Sequence, residues 1–279
     1  MKITCWGARG SIPVCGPEYV GYGGDTCCVE VRGAGDEPII IDAGTGIRRL
    51  GAQLLKQGPV KAHLIFTHAH WDHISGFRFF EPVYHETTNL KVICWTFAPY
   101  DVTEILGHTM AAPYFPVSLT ELKSEITYPK VSDEAFDLGG LNVASIPLSH
   151  PNGGMGYKFS QDGSSFVFLT DNELGFPHPN RVSTEKYLEF CQGADLLVHD
   201  AEYTPEEYEK VKGYGHSTYT EALDLALRAG VKRFALFHHN RDRTDQQIDN
   251  LVADCRARVG ASGSDMEVLA MAVGLTLQI

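Results

Sequence analysis

Six consecutive residues, which read HAHWDH, carry four side chains that commonly bind metal ions. These four residues are His68, His70, Asp72 and His73. Imidazole and carboxylate ligands without sulfur suit zinc, manganese or iron, and histidine-rich sites are typical of catalytic rather than structural zinc. Because the four residues crowd the end of an apolar run, we predict a metal site here and not a chance surface cluster.

Histidine and aspartate also end other apolar runs of the chain. Short β-branched runs bounded by turn residues predict buried strands. The runs end at Asp42, His68, His150, Asp171, Asp200 and the pair His238 and His239. In α/β proteins the edge beyond the strand ends is where ligands usually bind. The repeated pattern therefore predicts that these side chains converge on one site.

Helical patterns lie between some of the predicted strands. Apolar residues spaced near 3.6 apart, with glycine at or beyond the end, predict helices near residues 46–58, 183–192, 218–230 and 245–260. The chain shows no internal repeat and no long Pro/Gly/Ser linker. We therefore expect a single domain that spans residues 1–279.

Composition and charge limit the classes of partner. No apolar run reaches the roughly 18–20 residues of a membrane span, and the N-terminus has no apolar signal region, so we expect a cytoplasmic protein without a membrane partner. The net charge is −12, and the only local basic clusters are RDR at 241–243 and RAR at 256–258. A protein that grips a long phosphate backbone normally has a basic patch, so no extended nucleic acid is expected.

The seven cysteines are scattered and contain no CxxC pair. An odd number without regular spacing argues against a disulfide framework and against a cysteine-based zinc site. We expect reduced thiols that are mostly buried.

The order of the motifs resembles the metallo-β-lactamase superfamily of metal-dependent hydrolases. The similarity runs from GARGSIPV and IDAGTG near the start, through HAHWDH, LSHP and LTD, to LFHH near the end. It implies an α/β fold of the αββα sandwich type, with two facing mixed sheets, helices on the outer faces and a binuclear site at one edge.

The resemblance also implies a set of ligands for two divalent metal ions, zinc or manganese with iron as a further option. His68, His70 and His150 would hold one ion, Asp72, His73 and His238 the other, and Asp171 would bridge the two opposite a hydroxide. Asp42 matches the aspartate of the family's early strand–turn and is expected to support the ligands. Two divalent ions outweigh the two carboxylates, which favours a small anionic substrate.

The stretch HDAEYTPEEYEKVKGYGHST resembles the paired motifs of the ribonuclease Z-like phosphodiesterase branch, with Asp200 where that branch has glutamate. By resemblance His216 is the general acid that protonates the leaving oxygen, and Asp200 orients it. We expect Asp72, His216 and Asp200 to be the catalytic residues. The alternative is that His216 merely flanks a helix that Ser217 caps.

The interval between His150 and Asp171 is 21 positions and reads as a tight pair of strands. It leaves no room for the inserted tRNA-binding arm of long ribonuclease Z enzymes. The whole-chain pattern resembles bacterial cyclic-nucleotide-phosphodiesterase-like members of the branch, so we expect hydrolysis of a small phosphodiester such as a cyclic nucleotide. A homodimer is expected from the resemblance alone.

Two other functions stay open, namely hydrolysis of a carbon ester, lactone, lactam or thioester, and a non-catalytic metal sensor. The segment 81–130 contains no ligand series. It is either a packed helix–turn, or a pocket wall or dimer contact in which Tyr114 or Phe115 stacks on a base. Trp71 could stack in the same way.

Overall fold

Two mixed β-sheets of seven strands each form the framework of the described residues. The computed structural model describes residues 1–35, 37–93, 101–131, 135–179 and 181–279. The first sheet contains β1 (Lys2–Gly7), β2 (Cys28–Arg32), β3 (Ile39–Ile41), β4 (Lys61–Ile65), β5 (Asn89–Ile93), β6 (Glu125–Thr127) and β14 (Thr276–Gln278). The second contains β7 (Ala135–Leu138), β8 (Leu141–Pro147), β9 (Met155–Gln161), β10 (Ser164–Leu169), β11 (Leu196–Asp200), β12 (Arg233–Phe237) and β13 (Glu267–Ala270).

Each sheet is antiparallel on one side and parallel on the other. The first has the order β14-β1-β2-β3-β4-β5-β6 and is parallel from β3 to β6. The second has the order β13-β12-β11-β10-β9-β8-β7 and is parallel from β10 to β13. The carboxyl ends of the parallel strands therefore share one edge in each sheet.

Seven α-helices lie between the strands of the described ranges. They are α1 (Ile47–Leu55), α2 (Trp71–Ile74), α3 (Val102–Thr109), α4 (Thr184–Cys191), α5 (Pro205–Tyr208), α6 (Tyr219–Arg228) and α7 (Asp245–Ser262). The four predicted helices correspond to α1, α4, α6 and α7 and are confirmed. The cap of α6 is Thr218, whose side chain accepts from the Glu221 amide, and not Ser217 as the alternative supposed.

Three apolar clusters show how the layers pack. On β10, Phe166 and Phe168 join the cluster between the two sheets, whereas Val167 and Leu169 join the cluster under α4, α6 and α7. This alternation follows from the two-residue period of a strand. A third cluster lies on the outer face of the first sheet, under α1 and α3. Helices thus cover both outer faces, and the predicted αββα sandwich is confirmed.

Within the described part of segment 81–130, α3 buries Leu106 and packs on the first sheet, while Tyr114 is exposed. This region is thus partly core and partly surface; residues 94–100 lie outside the described ranges. No helix in the described ranges is both long and apolar enough to cross a membrane.

The thiols divide into buried and exposed. Cys5, Cys27, Cys28, Cys191 and Cys255 are buried and Cys15 is exposed. Cys94 lies outside the described residues.

Candidate metal centre

The strand ends bring the predicted residues to one edge of the sandwich. In the first sheet, Asp42 follows β3 and His68 follows β4, after which the short α2 carries Asp72 and His73. In the second sheet, the residues that follow or end a strand are His150 after β8, Asp171 after β10, Asp200 in β11 and His238 after β12. The predicted convergence of these endings is therefore present in the structure.

Three of these residues adopt a left-handed backbone conformation that side chains other than glycine rarely take. The φ angles are 62° at Asp42, 49° at Asp171 and 56° at His238. Such conformations cost on the order of 1–3 kcal/mol each and cluster at functional sites. Each one ends an extended run of chain at the same edge of the sandwich.

The first donor group consists of His68, His70, His150 and Asp171, whose ligand atoms all lie within 4.8 Å of one another. Nε2 of His68 and Nε2 of His150 lie 3.6 and 3.7 Å from Oδ2 of Asp171. Nδ1 of His70 lies 3.0 Å from Nε2 of His150. These four residues could hold one metal ion.

The second donor group shares Asp171 with the first. It consists of Asp72, His73, Asp171 and His238, again with all ligand atoms within 4.8 Å. Nε2 of His238 lies 3.1 Å from Oδ2 of Asp72 and 3.4 Å from Oδ2 of Asp171. Nε2 of His73 lies 3.2 Å from Oδ1 of Asp171. Asp171 is therefore a possible ligand in both groups.

Hydrogen bonds fix which nitrogen atom of each histidine faces the centre. Four histidines direct Nδ1 at an oxygen atom: His68 at Thr67 (3.1 Å), His73 at Asp42 (2.7 Å), His150 at the carbonyl of Gly215 (2.8 Å) and His238 at Glu202 (3.0 Å). Donation from Nδ1 leaves the lone pair on Nε2, and such partners orient metal-binding histidines in general.

Asp42 accepts several of the hydrogen bonds that orient the candidate ligands. It accepts hydrogen bonds from the amide and the hydroxyl of Thr67, each at 2.7 Å, and from Nδ1 of His73. The Cys27 thiol also donates to it, at 3.3 Å. Burial raises the pKa of Cys27 well above its ordinary value, so it stays a neutral thiol. Asp42 therefore holds ligands in place while its own oxygen atoms are already occupied.

Two unsatisfied atoms test whether the residues fit metal ions. Nε2 of His68 and Nε2 of His73 are buried and have no hydrogen-bond partner among the described residues. Buried polar atoms are rarely left unpaired. Burial also lowers the pKa of His150 to about 3 and that of His68 well below its ordinary value, so both rings are neutral and present lone pairs. The donor set therefore fits two divalent cations.

His216 and Asp200 lie beside the donor groups. Nδ1 of His216 lies 2.6 Å from Oδ2 of Asp200, and its ring stacks on His238 with centroids 4.6 Å apart. Burial alone would lower the pKa of His216, but the negative charges of Glu202 and Asp200 outweigh it and raise the pKa to about 9. A charged imidazolium that can give up a proton thus faces the same edge.

An open cleft of about 390 Å³ leads to the centre. Ser11, His70, Trp71, Asp72, Asp171 and His216 are among the residues that line it. The backbone N–H of Ser11 donates to Oδ2 of Asp72 at 2.8 Å. A small anionic group therefore has access to both donor groups and to His216 at once.

Comparison with known proteins assigns the chain to a family. A family model described as a beta-lactamase superfamily domain matches residues 38–239. The chain belongs to the beta-lactamase superfamily. The ribonuclease Z of Haloarcula marismortui is 24% identical in an alignment 303 positions long. The alignment covers 92% of this superfamily member and 91% of the relative.

Solved structures of similar fold agree with this assignment. The Bacillus subtilis metallo-beta-lactamase fold protein YhfI has a TM-score of 0.70 at 15% identity, over 99% of this chain and 98% of its own. The short form of human tRNase Z has a TM-score of 0.67 at 19% identity, over 100% of this chain and 99% of its own. At this identity the likenesses show that the fold of this superfamily member is the metallo-β-lactamase fold.

The comparisons correct one prediction. The sequence predicts that no extended nucleic acid is a partner, and this prediction is wrong. Relatives that align with most of this superfamily member are named ribonuclease Z, and a tRNase Z shares its fold. The physical error lies in the use of the net charge of −12. A whole-chain sum averages over the surface, whereas a polyanion responds to the local field at the groove that it enters.

Glu202 of this superfamily member was not predicted as a site residue. It contacts both His238, in the second donor group, and His216. Its Oε2 atom lies 3.0 Å from Nδ1 of His238 and 3.5 Å from Nδ1 of His216, and its Oε1 accepts from the Asn240 side chain at 2.9 Å. The signal was present in the sequence, because Glu202 is the first acid after the predicted strand and lies two positions beyond Asp200, which ends that strand.

Glu173 was also missed, and it holds the loop that precedes His216. This buried carboxylate accepts four hydrogen bonds of 2.7 Å, from the Tyr208 hydroxyl, the amides of Gly213 and Gly215, and Nε2 of His178. Gly215 is required at its position, because its φ is 98° and a Cβ would lie 2.0 Å from Nδ1 of His150. Glu173 thus fixes the loop that contacts a predicted ligand.

Proposed function

We propose that this protein is a metal-dependent phosphodiesterase. The observation that carries the proposal is His216, held by Asp200 at 2.6 Å beside two donor groups that share Asp171. An alkoxide leaving group departs poorly unless it is protonated, and a positioned histidine is the usual donor near neutral pH. Metal ligands next to such a donor support hydrolysis of a phosphodiester with a sugar as leaving group.

The proposed ligands follow the two donor groups. His68, His70 and His150 would hold one cation, Asp72, His73 and His238 the other, and Asp171 would bridge them. Zinc and manganese both suit these nitrogen and oxygen donors. When bound, the two cations would supply activation of water and neutralisation of the charge that develops on the phosphoryl group.

The protein's own residues orient the substrate and move the proton. Because Nδ1 of His216 is engaged by Asp200, its Nε2 is the atom that donates the proton to the leaving oxygen. The pKa of Asp72 is held well below its ordinary value, since burial opposes ionisation but the nearby His73 and His238 outweigh it. Asp72 therefore stays ionised, which is the state in which it would hold a cation.

Two substrate classes follow from separate observations. The relatives named ribonuclease Z support an RNA phosphodiester as the first class. A small cyclic phosphodiester is the second, because β9 and β10 form a direct hairpin between His150 and Asp171, which leaves no inserted substrate-binding arm there. Both classes place a sugar oxygen as the leaving group, so both use His216 in the same way.

A substrate panel tests the proposal. Protein reconstituted separately with zinc and with manganese is incubated with bis(p-nitrophenyl) phosphate, cyclic nucleotides and an RNA with a 3′ extension, and products are separated by chromatography. We expect hydrolysis of at least one phosphodiester, lost in Asp171→Ala and retained in His85→Ala, an exposed histidine outside the donor groups. Fully metallated protein that cleaves carbon esters but none of these phosphodiesters would refute the proposal.

A further inference from the structure

A second cleft opens on the other side of His216. It has a volume of about 470 Å³ and shares only Ser11 and His216 with the cleft over the donor groups. Tyr203, Lys210, Tyr214 and Arg241 are among the residues that line it. Its size falls within the range of about 300–1,000 Å³ that is usual for small-ligand sites.

The side chains of this second cleft suit a flat, anionic ligand. Tyr214 exposes 64% of its surface, so its ring face is open to a ligand. Lys210 and Arg241 supply positive charge at the wall, and Asp242 lies 3.7 Å from Arg241. The remaining acid, Glu207, is already paired with Arg243. The lining therefore carries two positive and two negative charges, and Lys210 and Arg241 are the two groups that can pair with a phosphate.

Tyr214 is also held rigidly although it is exposed. The amides of its two neighbours, Gly213 and Gly215, both donate to the buried carboxylate of Glu173 at 2.7 Å. Its own amide donates to the carbonyl of Val211 at 3.1 Å. An aromatic ring on a fixed backbone loses little freedom when a ligand stacks on it, which favours binding.

The position of His216 decides which part of the substrate enters this cleft. In the reaction proposed above, water oxygen bonds to phosphorus and the phosphorus–oxygen bond to the sugar breaks. The sugar oxygen takes the proton from Nε2 of His216, and the proton that the water loses restores the imidazolium. With the phosphoryl group in the cleft over the donor groups, the group beyond the leaving oxygen would extend past His216, which lines both clefts.

We propose that the second cleft binds the nucleotide that carries the leaving sugar oxygen. Its base stacks on Tyr214 and its next phosphate lies near Lys210 and Arg241. This inference rests on the proposed function and specifies its substrate as a chain of at least two nucleotides. The competing platform is Trp71, but the guanidinium of Arg78 already lies 5.6 Å from the centroid of its ring.

Calorimetric titration of the metal-loaded protein with adenosine 5′-monophosphate and with adenosine tests this assignment. Loss of the stacking ring in Tyr214→Ala should weaken binding of both compounds by about 5- to 100-fold. Tyr214→Phe, which keeps the ring, should bind as the wild type does. Lys210→Gln and Arg241→Gln should weaken only the monophosphate. Tyr114→Ala removes another exposed tyrosine, which does not line this cleft, and should change nothing.

The outcomes separate the cleft assignment from the proposed function. Wild-type affinity in Tyr214→Ala, or a loss of binding in Trp71→Ala in its place, would overturn the assignment. If the protein hydrolyses bis(p-nitrophenyl) phosphate but its nucleotide binding does not depend on Tyr214, the proposed phosphodiesterase activity is supported and the proposed nucleotide site in the second cleft is rejected. Tyr214-dependent binding in a protein that hydrolyses no phosphodiester would support the cleft and reject the function.

Discussion

Nδ1 of His216 and Oδ2 of Asp200 lie 2.6 Å apart, in contact with the donor groups but outside both ligand sets that surround Asp171. With Asp171 and His238, the pair forms a further group of possible donors. In the proposed reaction Asp200 would fix the ring so that Nε2 faces the substrate, while Glu202, at 3.5 Å, adds a second negative charge that favours the protonated ring.

The first prediction concerns the leaving group. His216→Ala should lower the rate on a substrate with a sugar leaving group by about 10²–10⁴-fold, because a poor leaving group needs a proton. The rate on bis(p-nitrophenyl) phosphate should fall less than about tenfold, since nitrophenolate leaves without protonation. Rates on both substrates are measured at equal metal content. Equal losses on the two substrates would exclude His216 as the acid.

The second prediction concerns pH. Only the protonated form of His216 can donate, so activity on sugar esters should fall as pH rises through its pKa, about 9 in the metal-free protein and lower beside bound cations. Asp200→Asn removes one of the charges that raise this pKa and should move the alkaline limb to lower pH. Complete pH–rate profiles of both proteins provide the measurement. An unchanged alkaline limb in Asp200→Asn would contradict the assigned pairing.

The third prediction concerns the loop before His216. In Glu173→Gln, an NH₂ group replaces one carboxylate oxygen and faces N–H or O–H groups that donate to that oxygen in the wild type. We therefore expect the free energy of unfolding to fall by roughly 2–4 kcal/mol. Turnover should fall as well, because Gly215 and His216 lose their fixed backbone. Urea denaturation and steady-state kinetics measure the two effects. Glu209→Gln is the matched control, since Glu209 is exposed and pairs only with Lys212. If the two variants were equally stable, Glu173 would have no such role.

The fourth prediction concerns the thiols. Burial raises the pKa of Cys5, Cys191 and Cys255 to about 12, so these thiols stay neutral and inaccessible in the folded protein. Cys15 is exposed and should be labelled by iodoacetamide in the native protein. Peptide mapping by mass spectrometry before and after unfolding in urea compares the sites. Rapid labelling of Cys191 in the native state would contradict the described packing.

The main features of the fold could be predicted because local pattern and burial agree. The run FVFL has both faces covered, so all four of its residues are apolar, and it lies in β10 as predicted. The residues of the two donor groups could be found because they follow such runs closely, as Asp171 follows β10 and His238 follows β12.

Other parts of the site depend on contacts between residues that are far apart in sequence. Glu173 receives its donors from Tyr208 and the loop 213–215, about forty positions away, and no local pattern predicts that pairing. The left-handed backbone of Asp42 and His238 was not predicted either, because aspartate and histidine adopt it more often than most residues but no local pattern marks these two positions.

The central claim is that two cations, held around Asp171, enable the protein to hydrolyse phosphodiesters. It is tested most directly by titrating zinc or manganese into metal-free protein while metal content and hydrolysis of the responsive substrate are measured on the same samples. We predict that activity rises to a plateau near two ions per chain, and that Asp171→Ala neither reaches this stoichiometry nor turns over. Wild-type protein that binds two ions and hydrolyses no phosphodiester would contradict the claim.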